Sequence, residues 1–173
     1  MALARTCLLM GIFLKTALGV GINCTSALPK QIILPSGWHA VTLEDLSNDD
    51  RDLWHRYHAG KCTGIAEGDV AGSGRKSYAI ALLQNDAEGN LHRQLIVWLP
   101  TGTSFSKIVL VRPAPVVADP FVVWMAPPGK SHEWDGGPAT NITHESFVYA
   151  KMEAIAWQFY LLSGRFHSLQ TAN

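Results

Sequence analysis

The chain has 173 residues, of which 47% are hydrophobic, and it carries 14 Lys and Arg against 14 Asp and Glu. This length suits one domain with a sizeable core, and the low charged fraction of 16% argues against a disordered chain. Zero formal net charge argues against nucleic acid as a partner, because phosphate binding needs an excess of basic residues.

The first 27 residues have the order of a secretory signal peptide. Arg5 and Lys15 are accompanied by apolar runs at 7–14 and 17–22, and small residues follow at 25–27. This order predicts a signal peptide over 1–27, a single domain over 28–173, and export to the periplasm or the extracellular space. We expect no stable membrane span, because spanning needs about 20 mostly apolar residues and Lys15 interrupts the run.

The position of signal cleavage determines the cysteine chemistry. A cut after Ala27 removes Cys24 and leaves Cys62 as the only cysteine. We would then expect Cys62 to be a buried, inert thiol, since no activating partner is visible. A cut before Cys24 would instead permit a Cys24–Cys62 disulfide. The sequence leaves both alternatives open.

Residues 43–58 have the pattern of an amphipathic helix. Thr42 and Asp45 form a candidate capping pair, apolar residues recur at near-helical spacing, and Gly60 is a natural terminator. The charged run at 49–52 is expected to form the solvated side of this helix.

Strand patterns follow this helix to the end of the chain. A link at Ser163-Gly164 between two aromatic runs predicts a C-terminal hairpin, although helix propensity is high over 150–162. The predicted fold class is therefore α+β, with an N-terminal amphipathic helix before a mainly antiparallel meander that ends in the hairpin. The predicted strands before the hairpin cover 78–83, 92–99, 105–111 and 121–125, and an irregular loop is expected over 127–141.

A glycine-bearing segment precedes the first predicted strand. Asp69 and two following glycines match the spacing of a calcium loop in which alternating oxygen ligands surround the ion. Ala71, Ser73 and Ser77 stand where carboxylates would be expected. Since Ca²⁺ affinity rises with the number of carboxylates, we expect Asp69, Ser73 and Ser77 to bind Ca²⁺ weakly at best, and we expect no other cofactor.

The same segment carries a family resemblance. Gly68-Asp69 through Gly72-x-Gly74, leading into the strand at 77–83, resembles a single, degenerate copy of an FG-GAP/VCBS-like repeat. With the aromatic strands at 147–149 and 159–166, the chain also resembles small exported bacterial proteins of unassigned function. The resemblance implies a calcium-type loop before a strand. Repeats of this type build β-propellers, which one copy cannot close.

The loop at 127–141 contains the other candidate site. Trp134 is flanked by Glu133 and Asp135, so its indole could stack on a sugar while either carboxyl acts as a general acid. A glycosidase needs two carboxyl groups placed across one bond, which sequence spacing does not establish here. We therefore treat Glu133, Trp134 and Asp135 as candidate ligand-binding residues and assign no catalytic residue.

These features favour an exported, non-catalytic binding or interaction module with a degenerate calcium-type loop. Its partner would be a protein or a cell-envelope ligand of unknown identity. The alternative is a secreted or periplasmic hydrolase that acts on carbohydrate or cell-wall material through Glu133, Asp135 or a neighbouring histidine. His55 and His58 lie three residues apart on the predicted helix and could share a metal, but no third ligand has a recognisable spacing.

Overall fold

A computed structural model of the protein describes residues 24–173, so the apolar part of the predicted signal peptide lies outside the described residues. Short 3-10 helices lie at Cys24–Ala27 and Leu43–Asp45. The other elements, in chain order, are β1 (His39–Ala40), α1 (Asn48–His58), β2 (Ile65–Gly68), β3 (Ser77–Asn85), β4 (Leu91–Thr101), β5 (Ser104–Pro115), β6 (Val122–Ala126), β7 (Gly129–Ser131), β8 (Thr140–Ile142), β9 (Ser146–Ala150), β10 (Ala156–Leu162) and β11 (Arg165–Ala172).

Two antiparallel sheets face each other across a shared core. In the first sheet β3, β4 and β5 are neighbours, and both β1 and β2 pair with the other edge of β3. The second sheet has the order β6-β9-β10-β11, and β7 pairs with β8 in a separate small hairpin. The C-terminal hairpin is formed by β10 and β11 around Ser163 and Gly164, both of which have positive φ.

The predicted α+β class is wrong, because the described chain is mostly β-sheet and α1 lies in mid-chain after β1. The predicted helix over 43–58 is divided in two, because Thr42 and Ser47 each cap a separate helical segment. The Thr42 N–H donates to Asp45 Oδ2 (2.8 Å), Leu46 is extended, and α1 then begins after Ser47, whose hydroxyl accepts from Asp50 N–H (3.3 Å). The predicted single meander is also wrong, because the strands divide between two sheets.

The charged run in α1 is not uniformly solvated. Asp50 is only 7% exposed, so its position contradicts the prediction for 49–52. Arg51 donates from its guanidinium to the carbonyls of Leu43 (3.1 Å) and Leu46 (3.2 Å). Arg51 thereby ties α1 to the end of the preceding 3-10 helix, where its guanidinium adds to the bond that the Leu43 carbonyl already accepts from Leu46 N–H (3.2 Å).

Strand β3 is buried on both faces, as its continuous apolar sequence predicted. Its inward side chains pack against β4 and against β9 and β10 of the second sheet. Its outward side chains, which include Ile80 and Leu82, pack against residues of an irregular N-terminal segment. That segment supplies Leu28, Ile32, Leu34 and Trp38 to the outer cluster.

The two sheets approach each other along β2 and β6. The Ala81 N–H of β3 donates to the Gly64 carbonyl (2.9 Å), and the Ala81 carbonyl accepts from Val41 N–H (3.0 Å). The residues just before β2 and just after β1 therefore meet at Ala81, on the same edge of β3. On the far side of β2, Val123 N–H donates to the Thr63 carbonyl (2.9 Å). This hydrogen bond joins the beginning of β6 to the residues just before β2.

A disulfide between Cys24 and Cys62 ties the N-terminal segment to the turn after α1. The expectation of a free, buried Cys62 thiol is therefore wrong, and Cys62 is half-buried. The signal boundary at Ala27 stays a prediction, and only a cut before Cys24 is compatible with this disulfide. None of the helices described for residues 24–173 is long and apolar enough to cross a membrane.

Candidate functional site

A pocket of about 380 Å³ opens where β2 adjoins β6. Its walls come from the N-terminal segment, the turn after α1, β2, β3 and β6. The lining residues are Cys24, Leu28, Lys61, Cys62, Ile65, Ala66, Glu67, Tyr78, Val123, Trp124 and Met125.

The turn after α1 is held firmly at the pocket wall. The Trp54 indole N–H donates to the Lys61 carbonyl (3.1 Å), and Lys61 N–H donates to the His58 carbonyl (3.0 Å). The disulfide fixes the next residue, Cys62, to Cys24. This wall is therefore largely pre-formed, as ligand sites usually are.

The β6 side of the pocket is aromatic and uncharged. The His58 ring lies between Trp54 and Trp124, with centroid distances of 4.5 Å and 4.7 Å. Burial lowers the pKa of His58, and the nearby Lys61 charge lowers it further. At neutral pH the imidazole behind Trp124 is consequently neutral.

The polar groups at the pocket differ in whether they already have ionic or hydrogen-bond partners within the protein. Glu67 forms a solvent-exposed ion pair with Lys76. Lys61 is exposed and forms no ion pair with another residue in 24–173. Burial, followed by the Glu67 charge, raises the pKa of Tyr78, which keeps its hydroxyl protonated. That hydroxyl makes no hydrogen bond within the described part of the chain.

The calcium-type loop lies between β2 and β3 and is closed by Asp69. Oδ1 of Asp69 accepts from Ser73 N–H (2.9 Å), and Oδ2 accepts from Gly74 N–H (2.5 Å). Desolvation raises the pKa of Asp69, but these backbone donors outweigh it and lower the pKa overall. The carboxylate therefore faces the N–H groups of its own turn.

The other predicted loop ligands are only partly brought together. The Ser73 hydroxyl lies 3.4 Å from Asp69 Oδ1, whereas Ser77 is fully buried and its hydroxyl has no hydrogen-bond partner among residues 24–173. Glu145, which sequence analysis did not single out, accepts from Asp69 N–H (2.5 Å). Within residues 24–173, no three His, Cys, Asp or Glu side chains converge in a way that could hold a metal ion.

The second predicted site is a surface loop. Trp134 is 59% exposed, and its backbone N–H donates to the Gln170 carbonyl (2.8 Å) of β11. Glu133 and Asp135 are also exposed, and Asp135 Oδ1 accepts from Gly137 N–H (3.2 Å). None of these three residues lines the pocket. The structure thus places the loop along the edge of β11, away from the apolar walls at β2 and β6.

The two histidines that were predicted to share a metal lie in different environments. His55 is exposed on α1, while His58 stacks between two indoles. Helical spacing placed both residues on one helix, but the stacking of His58 explains its position without a metal.

Comparison with known proteins gives no further assignment: no family model matches the sequence, and neither a curated protein nor a solved structure matches it.

Sequence analysis missed the pocket because its lining residues are distant in the chain. Trp124 and Met125 belong to a predicted strand, and Ile65 lies in a segment without strand periodicity. The available signal was the possible Cys24–Cys62 pair, which would place the N-terminal segment beside the turn after α1.

Proposed function

We propose that this protein is an exported, non-catalytic binding module whose ligand occupies the pocket between β2 and β6. The observation that carries the proposal is the pocket itself, a concave, mainly apolar site of about 380 Å³. Small-molecule sites are usually clefts of this size that have apolar walls and a few polar groups. The Tyr78 hydroxyl and the Lys61 side chain, which have no hydrogen-bond or ionic partner among residues 24–173, supply such groups.

The disulfide supports the exported location. Disulfides persist in the periplasm and outside the cell, and they are rare where cellular thiols are kept reduced. Cys24 and Cys62 both line the pocket, so the same bond that suits an oxidising compartment also shapes the binding site. We infer that processing occurs before Cys24 and leaves this wall intact.

The degenerate calcium-type loop has a supporting role in this proposal. A Cβ atom at Gly68 would collide with the Met125 side chain, so the start of the loop packs directly against a pocket residue. Asp69 holds the loop closed through Ser73 and Gly74. The FG-GAP-like geometry would then serve to position β2 and Met125, with weak Ca²⁺ binding at most.

The test is binding of an uncharged hydrophobic probe, N-phenyl-1-naphthylamine, whose fluorescence rises in apolar surroundings. We expect saturable binding to the disulfide-intact protein and at least a tenfold loss of affinity in Ile65→Trp, which fills the pocket. Ile108→Trp is the matched control, because Ile108 is similarly half-buried on β5 and does not line the pocket. Equal binding by both variants, or no saturable binding to the parent protein, would reject the proposal.

A further inference from the structure

We propose that the ligand is an uncharged aromatic molecule with about two fused rings, which packs against the Trp124 indole and meets the sulfur atoms of the pocket. This inference rests on the proposed binding function and specifies its ligand class. The volume of about 380 Å³ accommodates about a dozen non-hydrogen atoms at roughly 30 Å³ each. A naphthalene ring system with one substituent has this size.

An aromatic stack ends at the pocket. The His58 ring lies between Trp54 and Trp124, with centroid distances of 4.5 Å and 4.7 Å. Trp124 lines the pocket, whereas neither Trp54 nor His58 is among the lining residues. The pocket therefore meets the part of the Trp124 indole that the other two rings leave uncovered. A ligand ring placed there continues the stack by one member.

This stack is held in place before a ligand arrives. Trp54 is 1% exposed, and its indole N–H donates to the Lys61 carbonyl (3.1 Å). Trp124 lies on β6, where it pairs with Val148 of β9. Aromatic pairs attract each other beyond the effect of buried area, and a pre-ordered ring loses little freedom on binding. An aromatic ligand therefore gains a contact with Trp124 that a saturated ligand of equal size lacks.

Sulfur atoms form another part of the wall. The disulfide between Cys24 and Cys62 lines the pocket, and Met125 adds a thioether. Met125 is packed closely against the start of the calcium-type loop, since a Cβ atom at Gly68 would lie 2.9 Å from its Sδ. Sulfur atoms make favourable contacts with aromatic rings, often at the ring edge. These residues thus also favour an aromatic ligand over a saturated one.

The first sheet contributes a further ring. Tyr78 of β3 lines the pocket and packs edge-to-face against Phe105, with a centroid distance of 5.8 Å. Trp124 belongs to the second sheet. Aromatic side chains therefore reach the pocket from both sheets, next to the aliphatic side chain of Ile65 on β2.

The charged groups at the pocket favour an uncharged ligand. Among the described residues that line it, the charged ones are Lys61 and Glu67, and both are exposed. In the ion pair of Glu67 with Lys76, the two side chains are 48% and 61% exposed. Exposed charges of this kind are solvated and screened by salt. They do not compensate a charged ligand for the hydration that it loses on burial.

The experiment compares 2-naphthol with decahydro-2-naphthol, which have the same carbon skeleton and hydroxyl group and differ in aromaticity. Titration calorimetry of the disulfide-intact protein at neutral pH measures both affinities. We expect 2-naphthol to bind at least about fivefold more tightly, because only its rings interact with Trp124 as an aromatic pair. Two charged naphthalenes, 2-naphthoate and 2-naphthylmethylammonium, should each bind at least about fivefold more weakly than 2-naphthol.

A variant tests the contact with Trp124. Trp124→Leu should reduce the preference for 2-naphthol over decahydro-2-naphthol to less than about twofold, since the aromatic partner is removed. The ratio of the two affinities cancels any change of pocket size that affects both alcohols. Trp157→Leu is the matched control, because Trp157 is also a half-buried strand residue in an aromatic stack and does not line the pocket. It should keep the full preference.

NMR of the parent protein gives a readout that needs no folded variant. An aromatic ring beside Met125 should shift the resonance of its ¹³C-labelled methyl group through the ring current, and decahydro-2-naphthol should shift it several times less. Met152 is the internal control, because it packs against the core and does not line the pocket. Its methyl resonance should move with neither alcohol.

The outcomes separate this inference from the function on which it rests. If decahydro-2-naphthol or a charged naphthalene binds as tightly as 2-naphthol, or if 2-naphthol leaves the Met125 resonance unchanged, the ligand class is wrong. A full preference in Trp124→Leu also rejects it. The binding function then stands on N-phenyl-1-naphthylamine and the Ile65→Trp variant. If neither that probe nor any naphthalene compound binds, both proposals fail. Should thermal unfolding show that Trp124→Leu is misfolded, the affinities and the Met125 shift of the parent protein decide.

Discussion

The His144 ring lies directly over Gly72, where an added Cβ atom would approach within 2.5 Å of the imidazole Nδ1. Gly72 also has a φ of +64°, a conformation that costs other residues about 1–2 kcal/mol. The loop between β2 and β3 is thus fixed both by its own backbone and by the connection between β8 and β9.

We therefore expect Gly72→Ala to lower the free energy of unfolding by about 2 kcal/mol, through backbone strain and the collision with His144. Gly74→Ala is the matched control, because Gly74 has a φ of +73° but no neighbouring atom within 4 Å. It should lose only about 1 kcal/mol. Urea unfolding measures both values. Equal losses in the two variants would show that the His144 contact is unimportant.

The Cys24–Cys62 disulfide spans 38 residues and should stabilise the fold chiefly by restricting the unfolded chain. Loop-closure entropy predicts that Cys24→Ser with Cys62→Ser lowers the free energy of unfolding by about 4 kcal/mol. Hydrogen exchange should accelerate over residues 28–38. Reductant should destabilise the parent protein and leave the double variant unchanged. A parent protein whose unfolding ignores reductant would contradict this role.

Asp86 provides a pH-dependent contribution at the turn between β3 and β4. Its hydrogen bond with His92 (2.9 Å) is the main cause that lowers the pKa of Asp86 to about 2. Because the folded pKa is below the unfolded value of 3.8, this stabilisation is complete above pH 3.8 and is lost as pH falls towards 2. NMR titration should show the low pKa, and His92→Gln should raise it. A pKa near 3.8 in the parent protein would refute the prediction.

Asp50 should have the opposite dependence. Burial, followed by the Asp119 charge, raises its pKa, and Oδ2 has no hydrogen-bond partner in the part of the chain that the structure describes. The ionised form therefore destabilises the fold above the folded pKa, and this cost disappears as pH falls below the unfolded value of 3.8. We expect Asp50→Asn to increase the free energy of unfolding by about 1 kcal/mol at pH 7 and by less near pH 3.

Asp49→Asn is the control for Asp50, because Asp49 is exposed in the same first turn of α1. It should lose about 0.5 kcal/mol at pH 7, since a carboxylate there favours the helix N-terminus. Denaturant unfolding at pH 7 and pH 3 distinguishes the two residues. A stability loss in Asp50→Asn at pH 7 would show that its carboxylate is well satisfied.

The sequence predicted those strands whose signal is local. The central strand β3 has an uninterrupted apolar run, and the Ser163-Gly164 turn separates two aromatic segments with positive φ at both turn residues. The antiparallel order within the first sheet follows from short connections. The division of the 43–58 helix was harder to predict, because its apolar spacing is continuous. Thr42 and Ser47 are both good N-caps, and the spacing does not show that each one begins a separate helix.

Long-range pairing was not predictable from the same patterns. Nothing in 121–125 indicates that β6 leaves the first sheet and pairs with β9, 20 or more residues later. The cover over Ile80 and Leu82 comes from an irregular segment that has no periodicity. The pocket depends on both features, so it could not be located before the two sheets and the N-terminal segment were placed together.

The hydrogen bond from Trp134 to Gln170 has a consequence for behaviour at high concentration. Gln170 belongs to β11, the last strand of its sheet, and bare strand margins tend to recruit strands from neighbouring molecules. Here the Trp134 backbone N–H already donates to the Gln170 carbonyl. A second molecule that approaches this margin meets a loop instead of a template, which hinders fibre growth from this side of the protein.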